Sequence, residues 1–285
     1  MKRKRIITFL AAAMLLLSSC ASLSPSGVGR TKHYTIENSK IPADFDNYSI
    51  AFISDTHYPS LFSEKRLRKL VSHIKEINPN ILLLGGDYVT SNDSIDALFS
   101  ALSATAPDDG IYAVLGNHER SNSHLIAESM KRHGICLLRD SCANITGKES
   151  NIIIAGIEDS FKNAAIEPLP GKGYNPDEFM IVLAHTPDYA ERTSATAGIV
   201  LSGHTHGGQV SLLGLYTPVK NTIYGRRFLR GENRTTNGTT VITTNGIGTS
   251  RKKIRFCVPS EIVVITLKSP RQARPSKLQP PANEN

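Results

Sequence analysis

A layered α/β fold is what this sequence of 285 residues predicts. Three observations carry the prediction. Five short apolar runs each end in Asp, Asn or His, helical patterns separate the first of them, and the chain past Gly207 changes to strand and turn patterns. Uninterrupted apolar runs suit strands buried on both faces. Strands that alternate with helices stack as layers around shared cores.

The chain opens on a targeting pattern. Basic Lys2 to Arg5 precede the apolar run Ile6 to Leu17, which is short for a membrane span. The run closes in Leu17-Ser18-Ser19-Cys20, which resembles the lipobox of bacterial lipoproteins. That resemblance implies a signal peptide over 1–19, acylation of Cys20, and a polar tether over 20–47. The expected location is the bacterial cell envelope, lipid-anchored on the extracytoplasmic side of a membrane, with the basic end left in the cytoplasm. A signal anchor and ordinary secretion are the alternatives.

Charge points away from nucleic acid. The 33 Lys+Arg and 25 Asp+Glu give +8, but without the first four basic residues 29 face 25, or +4. So small a surplus, with no aromatic platform in a basic stretch, leaves no nucleic-acid partner expected. With 40% hydrophobic residues, 20% charged residues and only 4 Cys, the body is an ordinary globular chain and not a disulfide scaffold. No C-x-x-C pair offers a thiolate metal site.

The body's elements then follow in order. Ile50-Ala51-Phe52-Ile53 leads to Asp55 and His57, and Ile81-Leu82-Leu83-Leu84 leads through two glycines to Asp87. Ile111 to Leu115 leads to Asn117 and His118, Met180 to Leu183 to His185, and Ile199 to Leu201 to His204 and His206. Between them, Leu67, Leu70, Val71 and Ile74 mark one face of a helix that Ser63 caps and Asn78-Pro79 stops. Ser94 to Leu102 and Ser121 to Arg132 are further helix candidates. Thr239 to Thr244, Ile254 to Val258 and Glu261 to Leu267 read as strands of a second sheet, and 269–285 as a Pro-rich tail. Polar residues at the carboxyl ends of the strands converge in such folds.

Five motifs now stand in sequence: Asp55-Thr56-His57, Gly86-Asp87, Gly116-Asn117-His118-Glu119, His185, and Gly203-His204-Thr205-His206. They resemble the D-x-H, G-D, G-N-H-[DE], H and G-H-x-H pattern of the calcineurin-like metallophosphoesterases. The resemblance spans Asn47 to Lys268, so 48–268 reads as that domain. Gly203 to Gln209 resembles the branch of membrane-associated bacterial phosphodiesterases, as do Gly246 to Ser250 and Ile254-Arg255-Phe256. The resemblance implies an α/β/β/α sandwich with a dinuclear metal site at the strand carboxyl ends. It implies that Asp55, His57 and His206 hold one ion, that Asn117, His185 and His204 hold the other, and that Asp87 bridges them. His118 would stay unliganded and protonate the leaving oxygen, while Glu119 would orient a histidine from behind. A hydroxide bridging the ions would be the nucleophile.

The residue types suit that chemistry independently. Hydrolysis of an anionic ester needs charge neutralisation and hydroxide near pH 7, and two divalent cations provide both. Carboxylate, amide and imidazole donors suit Mn, Fe or Zn, with manganese the favoured expectation. Each residue also has an ordinary reading: a lone His185 is usually a polar strand end, and Asp87 after glycines is usually turn chemistry. It is their joint order that argues for a site.

Two features concern the substrate. Lys220, Arg226, Arg227, Arg230, Arg251, Lys252 and Lys253 cluster late in the chain. They read either as a solvated basic face or as a contact to phosphate or anionic lipid, with Arg251, Lys252 and Lys253 the candidates for substrate binding. Leu212 to Tyr216 reads as a core strand or as an acyl-chain contact. The expected activity is two-metal cleavage of a phosphodiester or pyrophosphate, on a lipid-linked or envelope substrate. Relatives in the resembling group cleave UDP-2,3-diacylglucosamine in lipid A biosynthesis, which is the alternative, although an exported enzyme would not meet that cytoplasmic compound. A non-catalytic, lipid-tethered binding lipoprotein is the alternative of another class, and the intact ligand set opposes it.

Overall fold

A computed structural model describes residues 28–158, 177–192, 197–212 and 216–270. Cys20, the apolar run before it and most of the 269–285 tail lie outside the described residues. Among the described residues twelve strands form two six-stranded sheets. The first runs in the order β1 (Arg30–Glu37), β12 (Glu261–Lys268), β2 (Ser49–Ile53), β3 (Ile81–Leu84), β4 (Ile111–Ala113), β5 (Ile135–Leu137). The second runs β10 (Gly231–Arg234), β11 (Thr240–Thr243), β9 (Ile199–Ser202), β8 (Met180–Ala184), β7 (Asn151–Ile157), β6 (Ser141–Thr146).

Strand alternation builds the layers. Ile50, Phe52, Ile81 and Leu83 point between the sheets, where they meet Ile154, Ile181, Leu183, Leu201 and Ile242. Ala51, Ile53, Leu82 and Leu84 point outward against α1 (Glu64–Ile77), α2 (Ile95–Ser103) and α3 (Ser123–Arg132). The outer face of the second sheet buries Ile153, Val182, Val200 and Val241 under Tyr189, Ala190 and Phe228. Among the described residues that last layer holds one short helix, α4 (Tyr189–Arg192). The two-sheet sandwich predicted from the sequence is therefore the fold.

Helix α1 starts after Ser63 and stops at Asn78, whose φ of 50° is the left-handed turn expected of a helix end before proline. Helices α2 and α3 also fall within two residues of their sequence bounds.

Three expectations need correction. Residues 30–47 are not all tether: β1 pairs in parallel with every residue of β12, and Ile36, Ile41 and Phe45 are buried. Its sequence looked polar because β1 is an edge strand, with most positions facing solvent. Strand β12 belongs to the first sheet, antiparallel to β2, and not to the second. Ile254 to Val258 forms no strand; a single bridge joins Phe256 to Val210.

Candidate metal centre

Strands β2, β3 and β4 run parallel in one sheet and β8 and β9 in the other. Their carboxyl ends meet, so loops after all five strands interlock. Asp55 N donates to Gly86 O, His57 N to Asp87 O, and Gly203 N to His185 O. The backbone is bent to aim side chains inward: Asp55, His57, Asp87, His204 and His206 all have φ between 46° and 66°. Side chains other than glycine seldom adopt that region, and such strain concentrates at functional sites.

The side chains assemble two triads of donor atoms. Asp55, His57 and His206 form one, and Asp87, His185 and His204 the other, with each set's atoms within 4.8 Å of one another. Asp87 also groups with His57 and His118, so its carboxylate faces both sides. Its Oδ2 lies 3.3 Å from His185 Nε2, 3.7 Å from His57 Nε2 and 3.9 Å from His118 Nε2. His206 Nε2 sits 3.3 Å from Asp55 Oδ1 and 3.2 Å from His57 Nε2.

The donors fit a pair of divalent cations. Burial lowers His57 to about 4 and His204 to about 3, and holds His206 far below its ordinary value. These rings are therefore neutral at pH 7, the form that binds metal. Burial also lifts Asp55 to about 6. For Asp87, burial pushes upward but facing histidines outweigh it and hold the carboxyl below the carboxylate range. Burial likewise disfavours protonated His185, and the facing Asp87 carboxylate pushes it the other way. His185 Nδ1 meets Gly85 O at 2.7 Å, which fixes the ring and aims Nε2 into the centre. Buried Asn117 Oδ1 has no hydrogen-bond partner among the described residues, as an amide oxygen awaiting a cation would.

His118 differs from its neighbours. Its side chain is 49% exposed, and its ring meets His57 edge-on at 4.9 Å. Its backbone N donates to Asp87 Oδ1, so the ring is anchored beside the triads yet open to solvent. Among the described residues the hydrogen bonds of Glu119 go to backbone and not to a histidine ring. The short helical turn over Asn117–Glu119 carries its carboxylate back to accept from the backbone N of Asp87, Tyr88 and Gly116. Burial and the nearby Asp87 push its pKa up, the backbone N–H groups of Tyr88 and Gly116 pull it back, and the balance is a rise to about 7.

Sequence reasoning missed a buried guanidinium. Arg255 donates to the carbonyls of His206, Asn245, Gly246, Gly248 and Val258. Burial lowers its pKa only to about 10, so it is charged at pH 7. From helix α1, Arg66 donates to Ile247 O. Together they clamp Asn245–Gly248 against the Asp55 strand end, where Gly248 N donates to Asp55 O. A lone Arg between Ile254 and Phe256 carries no one-dimensional mark of this role.

Arg251, Lys252 and Lys253 are exposed. Arg251 and Lys252 line a groove of about 280 Å³ with His206, Val210, Pro218, Val219 and Ile254. Gln209 ties this rim to the histidine turn through Ser250 and Lys252 carbonyls.

Two sheets that bring paired Asp/His triads around a shared carboxylate define a metal-dependent phosphoester hydrolase with a dinuclear site. The calcineurin-like phosphoesterase model matches residues 48–208, and the chain belongs to that family. It is 31% identical over 256 residues to the uncharacterized metallophosphoesterase YkuE of Bacillus subtilis (strain 168), covering 87% of this chain and 88% of that protein. It is 30% identical to an uncharacterized metallophosphoesterase of Aquifex aeolicus (strain VF5), over 84% and 92% of the two chains. Phosphodiesterase YaeI of Escherichia coli (strain K12) is also 30% identical, over 77% and 82%.

Proposed function

We propose that this hydrolase cleaves a phosphodiester or pyrophosphate bond in a lipid-linked envelope substrate, from a position tethered to the membrane by acylated Cys20. One observation supports the substrate class: the groove beside His206 is largely apolar, through Val210, Pro218, Val219 and Ile254, yet carries Arg251 and Lys252. An amphiphilic phosphoester has matching parts, a phosphate for the cations and a hydrocarbon for the groove.

Asp55, His57 and His206 would hold one cation, Asn117, His185 and His204 the second, and Asp87 both. When bound, two such ions supply charge neutralisation and a water of lowered pKa, and manganese is favoured. The chain's own residues then divide the work. Arg255 and Arg66 keep the Asp55 strand end in place, and Glu119 fixes the backbone of Asp87. His118 hands a proton to the leaving oxygen as its bond to phosphorus breaks and the oxygen of water bonds in its place.

The test is turnover of metal-loaded protein on a panel of phospholipids, UDP-linked diacyl sugars and soluble nucleotide diesters. The expected result is a kcat/KM at least about 10-fold higher for an amphiphile, the order a few buried methylenes contribute. Equal or better turnover of the soluble nucleotides overturns the lipid reading. Preference for the UDP-linked compound selects the alternative substrate. For the tether, a fatty-acid analogue should label the wild type and not Cys20→Ala; equal labelling refutes acylation there.

A further inference from the structure

We propose that the edge of the molecule bearing the metal centre is a docking face for an anionic lipid bilayer. It rests on the reading that the enzyme works at a membrane, and three independent observations carry it.

The first is apolar exposure. Among the described residues the large hydrophobic side chains that stay exposed are Leu212, Tyr216, Val219, Ile223 and Ile254, each between 49% and 67%. All lie between positions 212 and 254, and Val219 and Ile254 line the groove beside His206. Single exposed apolar residues are ordinary, but Val219 and Ile254 share one groove and Leu212 bridges to Tyr216, and contiguous exposed apolar surface marks an interaction site. Tyr216 adds an amphipathic ring of the kind enriched at membrane interfaces.

The second is charge. From His206 to Gly231 and from Gly246 to Ser260 the sequence contains no Asp or Glu. Those segments carry Lys220, Arg251, Lys252 and Lys253, all exposed, on the groove's rim or next to it in sequence. Cations flanking apolar tips suit anionic headgroups above hydrocarbon.

The third is where the chain enters the fold. Arg30 N donates to Ser260 O, so β1 begins beside the start of β12. Because β12 is antiparallel to β2, that start lies at the carboxyl end of β2, the end that carries Asp55 and His57. Glu261 N donates to Gly246 O, and Gly246 abuts Asp55. The ten residues from Cys20 to Gly29 reach at most about 35 Å. A chain held by Cys20 is therefore leashed on the same edge as the groove.

The chain has no Trp, so one introduced Trp reports alone. Full-length Ile254→Trp and, as a far-side control, Lys131→Trp on α3 are placed in vesicles of phosphatidylglycerol or phosphatidylcholine with brominated acyl chains. Phosphatidylglycerol should quench position 254 at least about two-fold, leave position 131 unquenched, and act more strongly than phosphatidylcholine. Each basic side chain at an anionic surface contributes roughly five-fold. Changing Arg251, Lys252 and Lys253 to Gln should weaken docking by about 10²-fold, read as loss of quenching, as should high salt. Ile223→Ser in the Ile254→Trp protein, an exposed position outside the groove lining, should also reduce quenching while hydrolysis of a soluble aryl phosphodiester stays at the rate of Ile254→Trp alone. No quenching at 254, equal quenching at 131, or indifference to lipid charge each overturns the proposal. Quenching is read without substrate. Failure of the lipid-substrate reading therefore shows in the turnover panel and leaves this result separate.

Discussion

Gly203→Ala tests how tightly the centre is built. A Cβ at position 203 would lie 2.1 Å from Ser54 Oγ and 2.3 Å from Asp55 Oδ2. Ordinary carbon–oxygen contacts need about 1 Å more, so something must move. The backbone cannot retreat freely, because Gly203 N donates to His185 O and Gly203 O accepts from Thr205 N. The Ser54 hydroxyl can turn away, but the Asp55 carboxylate is held by His204 N. Metal ligands tolerate errors of roughly 0.2 Å, so a displacement several times larger should disable the Asp55–His57–His206 triad. Overpacking costs about 1–3 kcal/mol, which lowers Tm by several °C in a domain of this size at about 2–4 °C per kcal/mol. The folded variant should therefore bind about one tight divalent ion per chain instead of two, with turnover reduced at least about 10²-fold. Elemental analysis and initial rates on one preparation decide it. Two tightly bound ions at the wild-type rate would refute the reasoning.

Further outcomes follow from the same geometry. Asp87→Ala should lower metal content and rate more than loss of any other donor, since its carboxylate faces both triads; retention of both sinks the bridging assignment. His118→Asn should keep both ions and lose about 10²–10⁴-fold in turnover, less for acidic leaving groups such as nitrophenol. A loss independent of leaving-group pKa would show that it stabilises charge without transferring a proton. Arg255→Met leaves five buried carbonyls without their cation and should cost about 3–5 kcal/mol, read by denaturant unfolding. A cost under about 1 kcal/mol would show that the clamp is dispensable.

What the sequence revealed tracks burial. Strands β2, β3, β8 and β9 are buried along nearly their whole lengths, so their apolar runs are continuous and their ends stand out. The residues after those ends were legible for the same reason. Strand β1 was not, because a half-solvated edge needs only Tyr34 and Ile36 against the core. The sheet taken by β12 was hidden for a different reason. Strand β2 had an open edge, and only three-dimensional pairing tells which edge a late strand fills. The Gly116–Glu119 motif alone does not tell where the Glu119 carboxylate lands, because the curl of the turn decides it.

The division of the candidate donors between sheets explains why so much of the fold serves one small site. The first sheet supplies Asp55, His57, Asp87, Asn117 and His118, and the second supplies His185, His204 and His206. Each expected cation therefore takes donors from both sheets, so neither site survives a slide of one sheet over the other. The centre opposes its own assembly, since His57 and His206 approach to 3.2 Å and five donor residues sit at left-handed backbone. What holds it is the packed layer between the sheets, where Phe52, Leu83, Leu183 and Leu201 interdigitate. Arg255 adds the local fastening, bridging the His206 turn to the Asn245–Gly248 loop. The cations would then act as the last cross-links between two sheets already held in register. Metal affinity and intersheet packing would then be coupled through the same residues.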